Sequence, residues 1–192
     1  MAKHLEHARW AGILLFFGGA EFWLFNMVSE TLYPGYSVHS DFLSALGAVG
    51  SPTEWIWDTA LFVLGLTWSV GVYLLFRRSG RRRWMVLNLI PAISSVLVGL
   101  FPAYSIDVMH VWSAYVFFAS SGLVAIADAK FIHSAFRYFS IALGLVILAA
   151  LFWYTSFQTD LLGVGGVERL VVYPAIIWVI GFGSYVMSTR EP

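Results

Sequence analysis

The sequence predicts an all-α polytopic membrane protein with six transmembrane helices and a short external interfacial helix. Three observations carry this. The 192-residue chain is 59% hydrophobic and only 11% charged, where a soluble domain has about 45–50% and 25%. Six stretches reach the roughly 20 apolar residues that a bilayer core demands. The basic residues then sort to one side of the resulting topology. So much apolar surface cannot be hidden in one soluble core of this size, which excludes a soluble enzyme, a disordered chain and a nucleic-acid binder. There is no Cys, hence no disulfide, thiolate metal site or Cys nucleophile.

The spans fall at about residues 10–29, 54–76, 84–102, 108–128, 137–157 and 169–188. They are too long for the roughly ten-residue dyad pattern of a membrane β-barrel. Span 1 stops at Tyr33-Pro34-Gly35. Its basic flank suggests a signal peptide, but Glu21 interrupts the run and no small-x-small site follows, so it reads as a retained helix. Span 2 opens at Ser51-Pro52-Thr53-Glu54, which reads as an N-cap Ser, a Pro at the first helical position and a capping-box Glu. Span 3 ends at Phe101-Pro102, and Gly163, Gly165 and Gly166 break the chain before span 6. Pro91 and Pro174 predict kinks in spans 3 and 6. Without a linker or repeat, residues 1–192 are expected to form a single domain.

Lys3, Arg9, Arg77, Arg78, Arg81, Arg82, Arg83, Lys130, Arg137 and Arg190 all fall on one side, and only Arg169 on the other. By the positive-inside rule the chain is integral to the cell membrane with both termini cytoplasmic. The arginine run 77–83 reads as a topology anchor touching lipid head groups. Glu30, Asp41, Glu54, Asp58, Asp107, Asp160 and Glu168 map to the opposite, outer side. That rim is read either as plain solvated acid or as a mouth that favours cations, a metal or a ligand amine.

The outer segment 30–53 carries Phe42, Leu43, Leu46 and Val49 on one helical face and Asp41, Ser44 and Ala48 on another. This predicts the short interfacial helix, its apolar side on lipid or on the bundle, with 36–50 as a lid over the bundle mouth. Ionisable groups at membrane depth mark candidate sites. Asp107, His110 and Ser113 lie at i, i+3, i+6 on one helical stripe, where a carboxylate can fix the tautomer of a His. They suggest a general base; the competing reading is a helix-capping Asp and a hydrogen-bonded core His. No metal motif is present, and His39 and His110 with outer carboxylates are the only residues that could build a mixed site. Haem would need facing His residues within the spans, and only His110 lies in one. No metal and no cofactor are therefore expected. Asn88, Ser94, Ser95, Ser120 and Ser121 read as interhelical hydrogen bonders.

Several segments together resemble a known family: Tyr36-Ser37 before Ser44-Ala45-Leu46-Gly47; Gly99-Leu100-Phe101-Pro102 before His110; and Gly166-Val167-Glu168-Arg169 with Trp178 in the last span. In this order, over nearly the whole chain, the sequence is similar to the bacterial and archaeal six-span proteins grouped as domain of unknown function 998. The resemblance implies a six-helix membrane fold and recurring polar positions at Ser44, His110, Glu168 and Arg169, but no reaction. Asp58 departs from the Asn that the pattern implies.

The sequence therefore predicts an outward-facing polar pocket walled by the outer ends of spans 1, 2, 4 and 6. It would hold the head group of a lipid or other amphiphile. His110 and Asp107 are the candidate catalytic pair, and Asp41, Ser44, Asp58, Glu168 and Arg169 the candidate ligand contacts, with Arg169 meeting a phosphate or pairing with Glu168. The residues admit simple binding and also hydrolysis or group transfer with His110 as base. A non-catalytic scaffold, acting as a homo-oligomer or with a partner membrane protein, is the alternative. A transporter is a weaker one, because only Glu21, Asn88 and Asp128 extend the polar positions inward. No nucleic-acid partner is expected.

Overall fold

The apolar runs fold as six helices: α1 (Ala2–Leu32), α2 (Glu54–Ser79), α3 (Arg82–Leu100), α4 (Asp107–Asp128), α5 (Phe136–Thr155) and α6 (Gly163–Ser188). The computed structural model describes residues 2–156 and 161–188, with side chains from Glu6 onward. Asp160, Arg190, Glu191 and the side chains of Lys3 and His4 lie outside the described residues. No strand occurs among the described residues, and all six helices are long and apolar enough to cross a membrane.

Every helix packs on its neighbours in sequence, and α6 closes on α1. The result is a six-membered ring of alternating direction. One end carries the connections 33–53 and 101–106, the end of α5 and the start of α6; we call it the loop end. The other, the arginine end, carries the α2–α3 and α4–α5 turns. The α2–α3 turn is tight, with Gly80 in the left-handed region that ends a helix without a Cβ clash.

The ring has no open axis. Trp68 and Trp178, both 1% exposed, meet at its centre with ring centroids 6.0 Å apart, and Phe117 and Phe182 pack edge-on and stacked against them. The perimeter is the reverse of a soluble protein: Phe17, Leu24, Leu66, Val86, Leu123 and Leu145 are among many large apolar side chains left exposed. Such a surface calls for lipid. With lipid outside there is little hydrophobic gain from packing helix on helix, so close approach and hydrogen bonds hold the seams. Gly12 faces Gly183 across α1–α6, and Gly122 faces Gly144 across α4–α5; a Cβ at Gly12, Gly144 or Gly183 would strike the facing backbone, and one at Gly122 would crowd the Leu148 side chain. Ser140 on α5 donates to Ala125 O of α4 at 2.5 Å and accepts from Trp178 Nε1 of α6 at 2.7 Å, tying three helices. Ser95 donates to Leu61 O across α2–α3, whereas Ser120 and Ser121 donate to carbonyls of their own helix, α4.

Three local expectations are corrected. Segment 36–50 forms no interfacial α-helix. It makes one short 3-10 stretch, Leu43–Gly47, with Leu43 and Leu46 fully buried against the bundle. Ser51 does not cap α2, which starts at Glu54; Ser51 and Thr53 instead donate to Leu46 O at 2.7 and 2.8 Å, and Glu54 accepts from Gly50 N. The glycines at 163–166 do not separate a loop from span 6 but open α6 itself. Pro91 and Pro174 both lie buried inside continuous helices.

Candidate functional site

At the loop end a cavity of about 350 Å³ lies under segment 42–44. Its inner wall is His110 and Phe118 of α4 and Glu168 of α6; its roof is Phe42 and Ser44. Tyr104, Asp107 and Val111, all exposed, form its outer lip. A narrow apolar cleft continues beneath, reaching Phe22 and Trp57. The expected walls are corrected accordingly. Spans 4 and 6 contribute with Tyr154 of span 5, while spans 1 and 2 reach only the cleft, because the roof segment turns down between them and the cavity.

Glu168 sits at the base of α6, 5% exposed. Its carboxylate accepts from Leu43 N at 2.5 Å, and Ser44 turns both its hydroxyl and its backbone N–H toward the same group. His110, 6% exposed, has Nδ1 2.8 Å from Phe101 O. A carbonyl only accepts, so Nδ1 carries the proton and Nε2 holds the lone pair. Asp107 lies three residues earlier on the exposed lip. At the lip Tyr104 adopts φ +65°, a left-handed conformation that costs a non-glycine residue roughly 1 kcal/mol.

Of the predicted residues, Ser44, Asp107, His110 and Glu168 share this cavity. Asp41, Asp58 and Arg169 do not line it. Asp41 accepts from Ser37 N at 2.8 Å and shapes its own turn. Asp58 is buried against Gly47 and Trp57, with Oδ1 unpartnered. Arg169 does not pair with Glu168, nor is it open to a phosphate. Its guanidinium donates to Glu30 Oε1 at 2.8 and 3.2 Å, to Tyr36 Oη at 2.6 Å, to Val38 O at 3.1 Å and to Gly165 O at 2.9 Å. Glu30 Oε1 also accepts from Asn26 and Tyr173, and Asn26 Oδ1 accepts from Trp57 Nε1. Arg169 is thus the centre of a clasp that fastens the roof segment to α1 and α6. Glu30, Tyr36 and Tyr173 were the residues missed; their one sequence signal is polarity at helix ends, which does not reveal partners 133–143 residues away. Gly165 N to His39 O and Val49 N to Ala103 O add two further pins on the segment that covers the cavity.

Tyr36 makes the clasp sensitive to alkali. Burial is the larger influence and raises its hydroxyl to about 12, against the downward pull of Arg169. A raised value means the folded state favours the protonated form. The stability is complete below about pH 10 and is lost as pH rises toward 12. The fall in unfolding midpoint between pH 9.5 and 12 should be shallower in Tyr36→Phe than in the wild type; parallel curves would remove Tyr36 from the clasp.

Among the described residues no group of three or more His, Asp or Glu is placed to hold a metal ion.

A closed ring of six membrane-length helices, with an acid- and histidine-lined cavity at its loop end, defines an integral membrane protein. Residues 16–185 match the family described as Protein of unknown function (DUF998), and the chain belongs to that family. No curated protein and no solved structure matches it.

Proposed function

We propose that the loop-end cavity binds the head group of an amphiphile, and that this head group is an ammonium. The observation that carries the reading is Glu168: a buried carboxylate facing a cavity whose nearby guanidinium is already committed to Glu30. With Asp107 at the lip and no Lys or Arg in the wall, the cavity favours positive charge. Tyr104, Tyr115, Tyr154 and Phe118 supply faces suited to an ammonium. The exposed lip residue Val111 lies on the apolar flank of α4, so a lipid-borne ligand has an entrance from the side. The aromatic plug of the axis disfavours a transport path. By the charge bias, the cavity opens away from the cytoplasm and the arginine end lies within it.

The test is a titration of the protein in maltoside micelles with dodecylammonium and with dodecanol, read by unfolding midpoint. Dodecylammonium should stabilise the wild type and dodecanol should not. Glu168→Gln keeps an acceptor for Leu43 N but loses the charge, and should weaken the dodecylammonium response at least about tenfold, or 1.4 kcal/mol. Equal responses to the two probes, or an unaltered Glu168→Gln, would sink the proposal.

The fixed tautomer of His110 favours a second reading, in which Nε2 acts as general base in hydrolysis or group transfer on the bound head group. Release of a water-soluble head group from ester-linked lipid should then fall about 100-fold or more in His110→Ala; turnover that survives this change excludes the base.

A further inference from the structure

The arginine run builds a second cavity at the opposite end of the ring. Arg81, Arg82 and Arg83 at the start of α3, and Lys130 in the 3-10 turn after α4, line a hollow of about 500 Å³ between these two helices. All four are exposed, and among the described residues none forms a salt bridge with a carboxylate. Two of them are held in place: the Arg81 guanidinium lies 4.4 Å and the Lys130 ammonium 4.9 Å from the centroid of the Phe131 ring. An aromatic face can attract two cations, but it does not neutralise them, and like charges this close repel. The one acid in the wall, Asp128, is 2% exposed; its Oδ1 accepts from Trp84 Nε1 at 2.9 Å and Asn88 Nδ2 at 3.5 Å, its Oδ2 has no hydrogen-bond partner among the described residues, and of the four cations only Lys130 acts on it, through charge and without a salt bridge.

The hollow also has an apolar side. Leu87, half exposed, lines it one turn below Arg83, and Ile90 and Leu123 are exposed one turn deeper on α3 and α4. A free anion would use the cations and leave that flank bare. A lipid uses both, with its phosphate among the guanidinium groups and its chains along the helix flank.

We propose that the α3–α4 cavity at the arginine end is a binding site for the phosphate head group of an anionic membrane lipid. Arg81 and Lys130, preorganised on Phe131, form its core. A topology anchor needs only net positive charge at this end; it needs no cavity and no shared aromatic platform. The two readings therefore separate by experiment.

The unfolding midpoint is measured in maltoside micelles with dioctanoyl phosphatidylglycerol, dioctanoyl phosphatidylcholine or inorganic phosphate. Phosphatidylglycerol should raise it, because a ligand that binds only the folded state stabilises it by mass action. The other two should have little effect. In R81Q/K130Q the apparent affinity should fall at least tenfold. In R77Q/R137Q, which removes the same charge from the same end but outside the cavity, it should be retained. Phe131→Leu leaves every charge in place and should weaken the response as well, which covers the case of a double variant that does not fold. Equal losses in the two double variants would reduce the effect to diffuse charge. An equal response to inorganic phosphate would overturn the lipid assignment, and an unaltered Phe131→Leu the platform.

Discussion

Replacing Arg169 with Met should destabilise the protein by about 3 kcal/mol, the lower end of what breaking a buried ion pair costs, because Glu30 keeps 22% of its side chain exposed. Met fills similar length but withdraws the donors that Glu30, Tyr36, Val38 and Gly165 now share. Arg169→Lys should fall between the two, since an ammonium keeps the charge but cannot reproduce the planar fork that spans an acid, a hydroxyl and two carbonyls. Glu30→Gln should cost less than the Met change, and the double variant less than the sum. Unfolding midpoints in detergent measure the first effect, and the rate of proteolytic cutting within 33–42 measures release of the roof. An Arg169→Met protein within about 0.5 kcal/mol of wild type would show that the clasp is not what holds the segment.

Gly165→Ala should be comparably harmful, at about 3 kcal/mol, the upper end of ordinary overpacking. A Cβ there would drive into the carbonyl oxygens of Val38 and Asp41 and crowd Arg169 Nη1 at 2.9 Å. Backbone carbonyls cannot move aside by changing rotamer, so the roof would lift off the first turn of α6 and carry Leu43 away from Glu168. Gly166→Ala is the control. Its Cβ meets only the Leu162 side chain, and the gain in helix propensity, about 1 kcal/mol, offsets part of that crowding. The two alanine variants should differ clearly in midpoint, and Gly165→Ala should also lose the dodecylammonium response. Equal behaviour would mean that the roof and α6 can separate at no cost.

The residues that proved to share a cavity had been legible to different degrees. His110 stood out because it is the one His inside an apolar span, and Glu168 because it is an acid at the start of another. Ser44 was marked by a polar stripe in an otherwise apolar loop. Arg169 was equally visible, but its role was misjudged. Adjacency to Glu168 in sequence suggested a pair, yet consecutive helical residues point about 100° apart, and the guanidinium reaches Glu30 on the neighbouring helix instead. Asp41 was chosen from the polar face of the outer segment and Asp58 for charge and depth, and neither criterion says what a side chain meets in the fold.

The glycines were open to the same misreading. In isolation, Gly163, Gly165 and Gly166 signal a break. In the fold they begin a helix, and the 38–41 backbone occupies the space that the missing side chains of Gly163 and Gly165 leave. The short 3-10 stretch behaves likewise: its apolar residues fit an interfacial helix, until Ser51 and Thr53 are seen to hold Leu46 against the bundle.

The sequence by itself determined six spans, their alternation and the segregation of bases from acids, since these depend on local hydropathy and on charge counted along the chain. Only the tertiary structure decided that the ring closes between α1 and α6, that aromatic rings fill its axis, that Arg169 joins Glu30 and Tyr36 rather than Glu168, and that Phe131 gathers two cations. Those outcomes depend on which faces meet between segments that are distant in the chain, and a facing partner leaves no mark on the local pattern of either segment.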